Sequence, residues 1–446
     1  MNRQRSRGRV TLATIAAVCA MGALPGQAHA EVGPAAYTFD PAAVSVEGTE
    51  TNAEAPELKP GSVYRSSIGN GQKLYYRLEL DDTTDAYVSA VAIPKSGGKV
   101  AYGDGITVSI RDLDDTQCSS EDAAFESAEF PRPIAAYAYR NVEKDSTTCA
   151  ASGTYNVLIE RESKVTSSPE DWDLELRYEA EPSPKEDAAL PTEAPTEWPS
   201  ASPVPPTGPQ KRSGGSGFHD ATSLESGEWV DSITPGQTRF YRVPVDWGQQ
   251  LFATAALSNS GKSTEFLGNA LALALDNPAH GHVDDATLSY SGGPNSVALD
   301  PLPPVAYENR YASAADVSAM RFAGWYYLSV TLSPEVAEHY GDDPIGLTLK
   351  VKVVNDSKPS PYQGDAGIFG VSDDDRDMAR SGQKESEAGR SAMMTAVGFA
   401  GIGTGSLLVL GLGAWTLLAR RRPASVATPP GASGGRPPLG GPPPAW

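Results

Sequence analysis

Gly153-Thr-Tyr-Asn-Val-Leu-Ile159 and Gly324-Trp-Tyr-Tyr-Leu-Ser-Val330 lie 171 residues apart and share one pattern. A glycine is followed by apolar residues at every second position, the mark of a strand with one face buried. Toward the N-terminus, Leu58 and Gly61 recur as Leu224 and Gly227 at an offset of 166. Ile68, Gly71-Gln72 and Tyr76-Arg77 recur as Ile233, Gly236-Gln237 and Tyr241-Arg242 at an offset of 165. That offset persists for Asp81 against Asp246, Tyr87 against Phe252, and Ile106, Val108, Ile110 against Leu271, Leu273, Leu275. Toward the C-terminus, Leu174 and Leu176 match Leu347 and Leu349 at 173. An ordered series with near-constant spacing is an internal repeat.

Each copy reads as short alternating strands separated by Gly, Pro and Asp turns, without long amphipathic helices. This predicts a mainly β chain of two tandem antiparallel β-sandwiches, jelly-roll-like, each of about seven or eight strands. Asn70-Gly-Gln72 and Pro235-Gly-Gln237 precede aromatic strands and are turn chemistry. Gly236, Tyr241 and Gly324 need no ligand to explain them.

The series Gly-Gln-x-x-x-Tyr-Arg, an alternating Leu-x-Leu-x-Leu strand, Gly-Trp-Tyr-Tyr-Leu-Ser-Val and Leu-x-Leu-x-Val resembles the bacterial prepeptidase C-terminal (PPC) domain. The second copy, Ser223–Val354, fits better than the first. The resemblance implies secreted β-sandwiches that accompany proteases and surface proteins, with calcium or collagen bound by some related sandwiches. No catalytic domain is attached here, so it implies no enzyme function. The layout is similar to surface proteins of high-GC Gram-positive, actinobacterial cells.

The 446-residue chain carries a formal charge of -20, with 44 Gly, 37 Pro and three Cys. Residues 1–30 read as a signal peptide: Arg3, Arg5, Arg7 and Arg9, an apolar run from Val10 to Leu24, and Ala28-His29-Ala30 before Glu31, so that cleavage falls between Ala30 and Glu31. Residues 392–419 are uncharged and long enough to cross a bilayer, and Arg420-Arg421-Arg422 follow at once. The basic cluster places the tail, 420–446, in the cytoplasm and the N-terminal region outside. The expectation is a single-pass cell-membrane protein. Eight of the arginines lie in residues 1–30 and 420–446, which leaves -28 on residues 31–419. Such an acidic exterior argues against nucleic acid as a partner. Gly401-x-x-x-Gly405 permits close packing of two membrane helices, and hence homodimerisation.

The remaining boundaries are a first sandwich over 31–180, a Pro-rich linker over 181–217, a second sandwich over 218–355 and an acidic disordered stalk over 356–391. A spacer rich in proline offers no apolar face, so little contact between the copies is expected.

Candidate chemistry is sparse. Cys118 and Cys149 face an oxidising exterior and are expected to form a disulfide. Ala256-Leu-Ser-Asn-Ser-Gly261-Lys262-Ser263 matches a phosphate-loop pattern but leads into a strand rather than a helix, which excludes that reading. His280 and His282, with Asp284 and Asp285, are a metal-ligand candidate; flanking Pro278 and Gly281 favour a solvated loop. Asp81, Asp82 and Asp85, and Asp112, Asp114 and Asp115, fall at strand ends, where an interloop calcium site competes with the default reading as turn residues. No catalytic, cofactor-binding or metal residue is assigned. The expected function is a non-catalytic binding or scaffolding protein of the cell surface, with an envelope protein or glycan as partner. The alternative is an accessory subunit of a secreted enzyme or envelope complex, with an unrecognised hydrolase as a minor third reading.

Overall fold

The computed structural model describes residues 36–142, 148–185, 190–261, 264–384 and 386. Ala30 and Glu31 of the signal junction, the segment 392–419 and the tail lie outside the described residues. Among the described residues, no helix is long and apolar enough to cross a membrane.

The first copy contains β1 (Val44–Ser45), β2 (Ser62–Ile68), β3 (Lys73–Leu80), β4 (Ala86–Ile93), β5 (Gly105–Arg111), β6 (Gln117–Ala124), β7 (Ile134–Arg140), β8 (Gly153–Glu162) and β9 (Trp172–Ala180). The second contains β10 (Gln210–Lys211), β11 (Thr222–Ser223), β12 (Gly227–Ile233), β13 (Thr238–Val245), β14 (Gln250–Leu257), β15 (Leu267–Asp276), β16 (His282–Tyr290), β17 (Asn295–Ala298), β18 (Gly324–Leu332) and β19 (Ile345–Val354). Short helices α1 (Ala315–Ala319) and α2 (Val336–Tyr340) flank β18, and α3 (Asp373–Ser381) follows β19.

The strands form four sheets: β1-β2-β9-β4-β7 and β3-β8-β5-β6 in the first copy, β10-β12-β19-β14-β17 and β11-β13-β18-β15-β16 in the second. Without the two-residue edge strands β1, β10 and β11, both copies thread eight strands through two sheets in the same order. That order is a jelly roll.

The repeated residues do the same work in both copies. Gly71 and Gly236 hold φ of 68° and 76° in the turns before β3 and β13, a region that favours glycine. The Gln72 and Gln237 side-chain oxygens accept from the Gly69 and Thr234 amides at 2.8 and 3.2 Å. Tyr76 bonds Ser66 at 2.8 Å and Tyr241 donates to Asp231 at 2.8 Å, each reaching ten residues back. Tyr155 and Tyr326 donate to the carbonyls of Ala151 and Phe322, four residues back. These hydroxyls lie at the core's edge, where an unpaired polar group would be costly. Cys118 of β6 and Cys149 are joined in a disulfide, Cα–Cα 5.7 Å.

The expectation of little contact between the copies is overturned. The outer face of the β1-β2-β9-β4-β7 sheet packs on the outer face of the β11-β13-β18-β15-β16 sheet, so four sheets stack in series. Val91, Ile93 and Ala135 meet Phe218, Ala221, Phe240 and Tyr327 in one apolar cluster. Tyr87 and Tyr137 join the second copy's core, where Tyr87 meets Phe322 edge-on at 4.9 Å. Gly281 lets Tyr137 in: a Cβ there would lie 2.4 Å from the ring. The apolar glue comes from strand faces and from the segments that lead into β11 and β18, not from 181–217. Burial of each large side chain contributes about 1.5–3 kcal/mol.

A buried ionic cluster fixes the register of this docking. Arg310 of the second copy pairs with Glu181 at 2.5 Å and Asp85 at 3.4 Å, over the Tyr307 ring. Tyr87 and Tyr362 each donate to Glu181 at 2.7 Å. Burial, reinforced by Glu181, pushes the Asp85 carboxyl up to about 6, against the opposing pull of the Val142 amide and Arg310.

The spacer and the stalk are corrected too. Within 181–217, Glu181 is buried, Trp198 donates to the Pro301 carbonyl at 2.7 Å, and β10 pairs with β12. The linker is laid along the second sandwich. Within 356–391, residues 356–384 form an ordered strap whose Tyr362 and Phe369 are buried. Its helix α3 starts with a capping box, Ser372 with Asp375. Arg376 of the strap pairs with Asp246 at 2.7 Å, and Trp325 donates to Asp375 at 2.8 Å. The acidic run Asp373-Asp374-Asp375 is a helix start, where negative charge is favourable, rather than a disordered segment.

Candidate functional site

Docking creates a cleft between the β6–β7 connection of the first copy and the outer face of β15, β16 and β18 of the second. Phe125 begins the connection, buried against Trp172 with ring centroids 5.7 Å apart. Ala128 and Phe130 then pack on Ala272 of β15. Asn269 donates to the Ser127 carbonyl at 2.7 Å and ties the connection to the second copy. The sequence Phe130-Pro131-Arg132-Pro133 closes it, with two prolines restricting the backbone on either side of Arg132.

The cleft holds a cavity of about 130 Å3. Ala272, Ala274 and Ser329 form its small-residue floor, with Phe218, Phe240 and Ile134 beside them. Arg132 enters from the first copy. Its Nη1 donates to the carbonyls of Ala128 at 2.6 Å and Phe130 at 3.4 Å, and its guanidinium lies 5.1 and 5.3 Å from the Phe125 and Phe130 rings. Burial pulls its pKa down to about 10, which still leaves it charged at neutral pH.

The opposite rim is His282 between two carboxylates, Nδ1 3.8 Å from Asp276 and Nε2 3.4 Å from Asp285. Burial opposes charge on this ring, but the bonds to Asp276 and Asp285 outweigh it and hold the imidazole up to about 10. Burial raises the Asp276 carboxyl, whereas the bond from His282 lowers that of the more exposed Asp285. The rim is therefore an imidazolium shared by two carboxylates. It is an electrostatic fixture, since an imidazole held protonated does not serve as a base near neutral pH.

The solvated-loop reading is corrected for His280, whereas His282 is exposed at the start of β16. His280, at φ 58°, is buried and stacks on Phe218 with ring centroids 4.1 Å apart, its Nε2 3.3 Å from Arg177. Burial holds it well below the ordinary imidazole range. His282 opens β16 and belongs to the cleft rim. Asp284, placed beside them in the sequence, instead accepts from the Asp300 amide at 2.9 Å, and burial raises it to about 6.

The strand-end acids serve turns. Asp81 accepts from the amides of Thr83 and Thr84, which lower its carboxyl to about 2. Asp112 accepts from the amides of Asp114 and Thr116, and Asp85 belongs to the interface cluster. Among the described residues, no group of three or more His, Cys, Asp or Glu side chains is arranged to hold a metal ion. Lys262 and Ser263 of the phosphate-loop pattern lie outside the described residues.

No family model matches the chain. No curated protein matches it either. Solved structures similar to it include a broad bean stain virus structure, 8% identical, covering 72% of this chain and 95% of that one at a TM-score of 0.18. Tripeptidyl peptidase 2 is 9% identical, with 66% and 24% covered at a TM-score of 0.20. A secreted protein from Parabacteroides distasonis is 8% identical, with 66% and 88% covered at 0.17. Scores this low carry no argument about fold or function.

Proposed function

We propose that this protein is a non-catalytic, membrane-anchored binding or scaffolding protein of a bacterial cell surface, with two PPC-like sandwiches acting as one rigid ectodomain. The observation that carries the reading is the apolar, ion-locked docking of the copies. It holds a cleft built from both copies in fixed geometry, the arrangement a recognition module requires. The signal-like start and the uncharged segment 392–419 support export and anchoring.

Two measurements test the reading. Protease added to intact protoplasts should remove residues 31–391 and leave the tail protected; protected sandwiches would reject the surface assignment. Crosslinking in living cells should retain a stoichiometric envelope protein or a cell-wall glycan. A hydrolytic activity that purifies with the chain and disappears on His282→Ala would reject the non-catalytic half.

A further inference from the structure

The cleft's polar groups are unevenly satisfied. Arg132 has carbonyl partners for Nη1 alone; Nε and Nη2 have no hydrogen-bond partner among the described residues. It has no carboxylate pair there either, although Asp285 and Glu126 lie near enough to stabilise its charge. Ser329, also without a side-chain partner among the described residues, lines the same cavity. Arg132 is half-buried and lines the cavity, and a guanidinium with free N–H groups beside such a space suits a carboxylate, which it grips through two parallel N–H groups.

The other rim has the opposite preference. Two carboxylates, Asp276 and Asp285, flank the one His282 ring, which places carboxylate charge on that side. A bare anion would face this charge, and a bare cation would leave Arg132 unsatisfied. Between the rims, Phe218, Phe240 and Ile134 supply an apolar wall. A cavity of about 150 Å3 in another protein takes a benzene ring, so the space here suits a short aliphatic group.

We propose that this cleft binds a small zwitterion of the amino-acid class. Its carboxylate sits on Arg132 and Ser329, its ammonium faces Asp285, and its aliphatic side chain lies against Phe218, Phe240 and Ile134. The inference rests on the reading of the protein as a binding module and names that module's ligand class.

The test uses the full-length protein in detergent. Alanine, valine and leucine of both hands, isovalerate and isopentylamine are compared by thermal shift and calorimetry. At least one amino acid should raise Tm by several degrees, and isovalerate and isopentylamine should bind at least tenfold more weakly. Arg132→Met should weaken amino-acid binding at least tenfold, with Arg132→Lys intermediate. Ala274→Phe, which fills the cavity from its floor, should abolish binding while the protein still melts cooperatively; this variant decides the matter if Arg132→Met does not fold. Absence of any amino-acid shift in the wild type would overturn the proposal. So would isopentylamine or isovalerate binding as tightly as the best amino acid, or unchanged binding in Arg132→Met or in folded Ala274→Phe. Protease protection in protoplasts is independent of these outcomes, so the site and the surface assignment can fail separately.

Discussion

The same outward positions of the repeat meet different surroundings in the two copies. On the β3-β8-β5-β6 sheet of the first copy they are Lys73, Tyr75 and Arg77, paired across to Glu160, Leu158 and Asn156. On the second copy they are Thr238, Phe240 and Arg242, paired across to Thr331, Ser329 and Tyr327. The first set carries a surface ion pair, Lys73 with Glu160; the second lies beneath the other sandwich. The partner face differs likewise. Tyr87, Val91 and Ile93 line the buried outer face of β4, where the same positions of the second copy are Phe252, Ala256 and Ser258, with Lys350 and Lys352 on β19 beside β14. One architecture thus yields a face with a surface ion pair or a docking face by exchange of a few side chains, since the inward positions hold the sheet register.

The strongest way to break this comparison is to separate the copies. Residues 218–355 alone would expose Phe218, Phe240 and Tyr327 to water. They should aggregate or melt without a cooperative transition, as followed by calorimetry and near-UV circular dichroism. A cooperative, soluble second copy would show that the docking face is incidental.

Breaking the ionic cluster comes next. Arg310→Ala leaves Glu181 buried without its cation and should cost about 3–5 kcal/mol. The loss should shrink in the double variant with Glu181→Gln, and a denaturant-melt cycle measures that coupling.

Equivalent positions sharpen the contrast. Phe240→Ala should cost about 3–5 kcal/mol, whereas Tyr75→Ala should cost about 0.5 kcal/mol or less. Similar losses would mean that the two faces are energetically alike. The disulfide supplies a first-copy reference: Cys118→Ala with Cys149→Ala should cost about 3–4 kcal/mol by loop entropy.

The smallest effect is on pH. Asp85 and Asp284 titrate at about 6 in the folded protein, and burial raises Glu121, Glu175 and Asp276 as well. Groups raised on folding stabilise fully below their unfolded pKa, and that contribution is lost as pH rises through the folded value. His282, raised to about 10, acts in the same direction. His280, held neutral, opposes the trend below about 6.5, and Asp81 loses its contribution only near 2. Tm should therefore be higher at about pH 6 than at about pH 8. A Tm that rises from about pH 6 to about pH 8 would contradict the sign.

Strands with one wet face were legible because their residues alternate: Leu74, Tyr76, Leu78 and Leu80 are buried, and Lys73 and Glu79 are not. The docking was written in the sequence differently. Ala86-Tyr-Val-Ser-Ala-Val-Ala-Ile93 is a nearly unbroken apolar run, and all eight residues are buried. Such a run marks a strand covered on both sides. Ser372 with Asp375 carried the capping-box signal for the strap. Of the candidate site, His282 and Asp285 stood out as charged neighbours. Arg132 had no local mark, because what singles it out is a wall contributed by strands more than a hundred residues away.

The stacking contact joins one surface to a different surface, so it has no two-fold axis and does not close on itself. A contact of that kind, repeated, builds a ring where its rotation closes and an open filament where it does not. The Lys73–Glu160 face at one end and the Lys350–Lys352 face at the other are polar ends to the stack, as terminal caps are in repeat proteins. Neither polar end repeats the apolar docking surfaces between the two sandwiches.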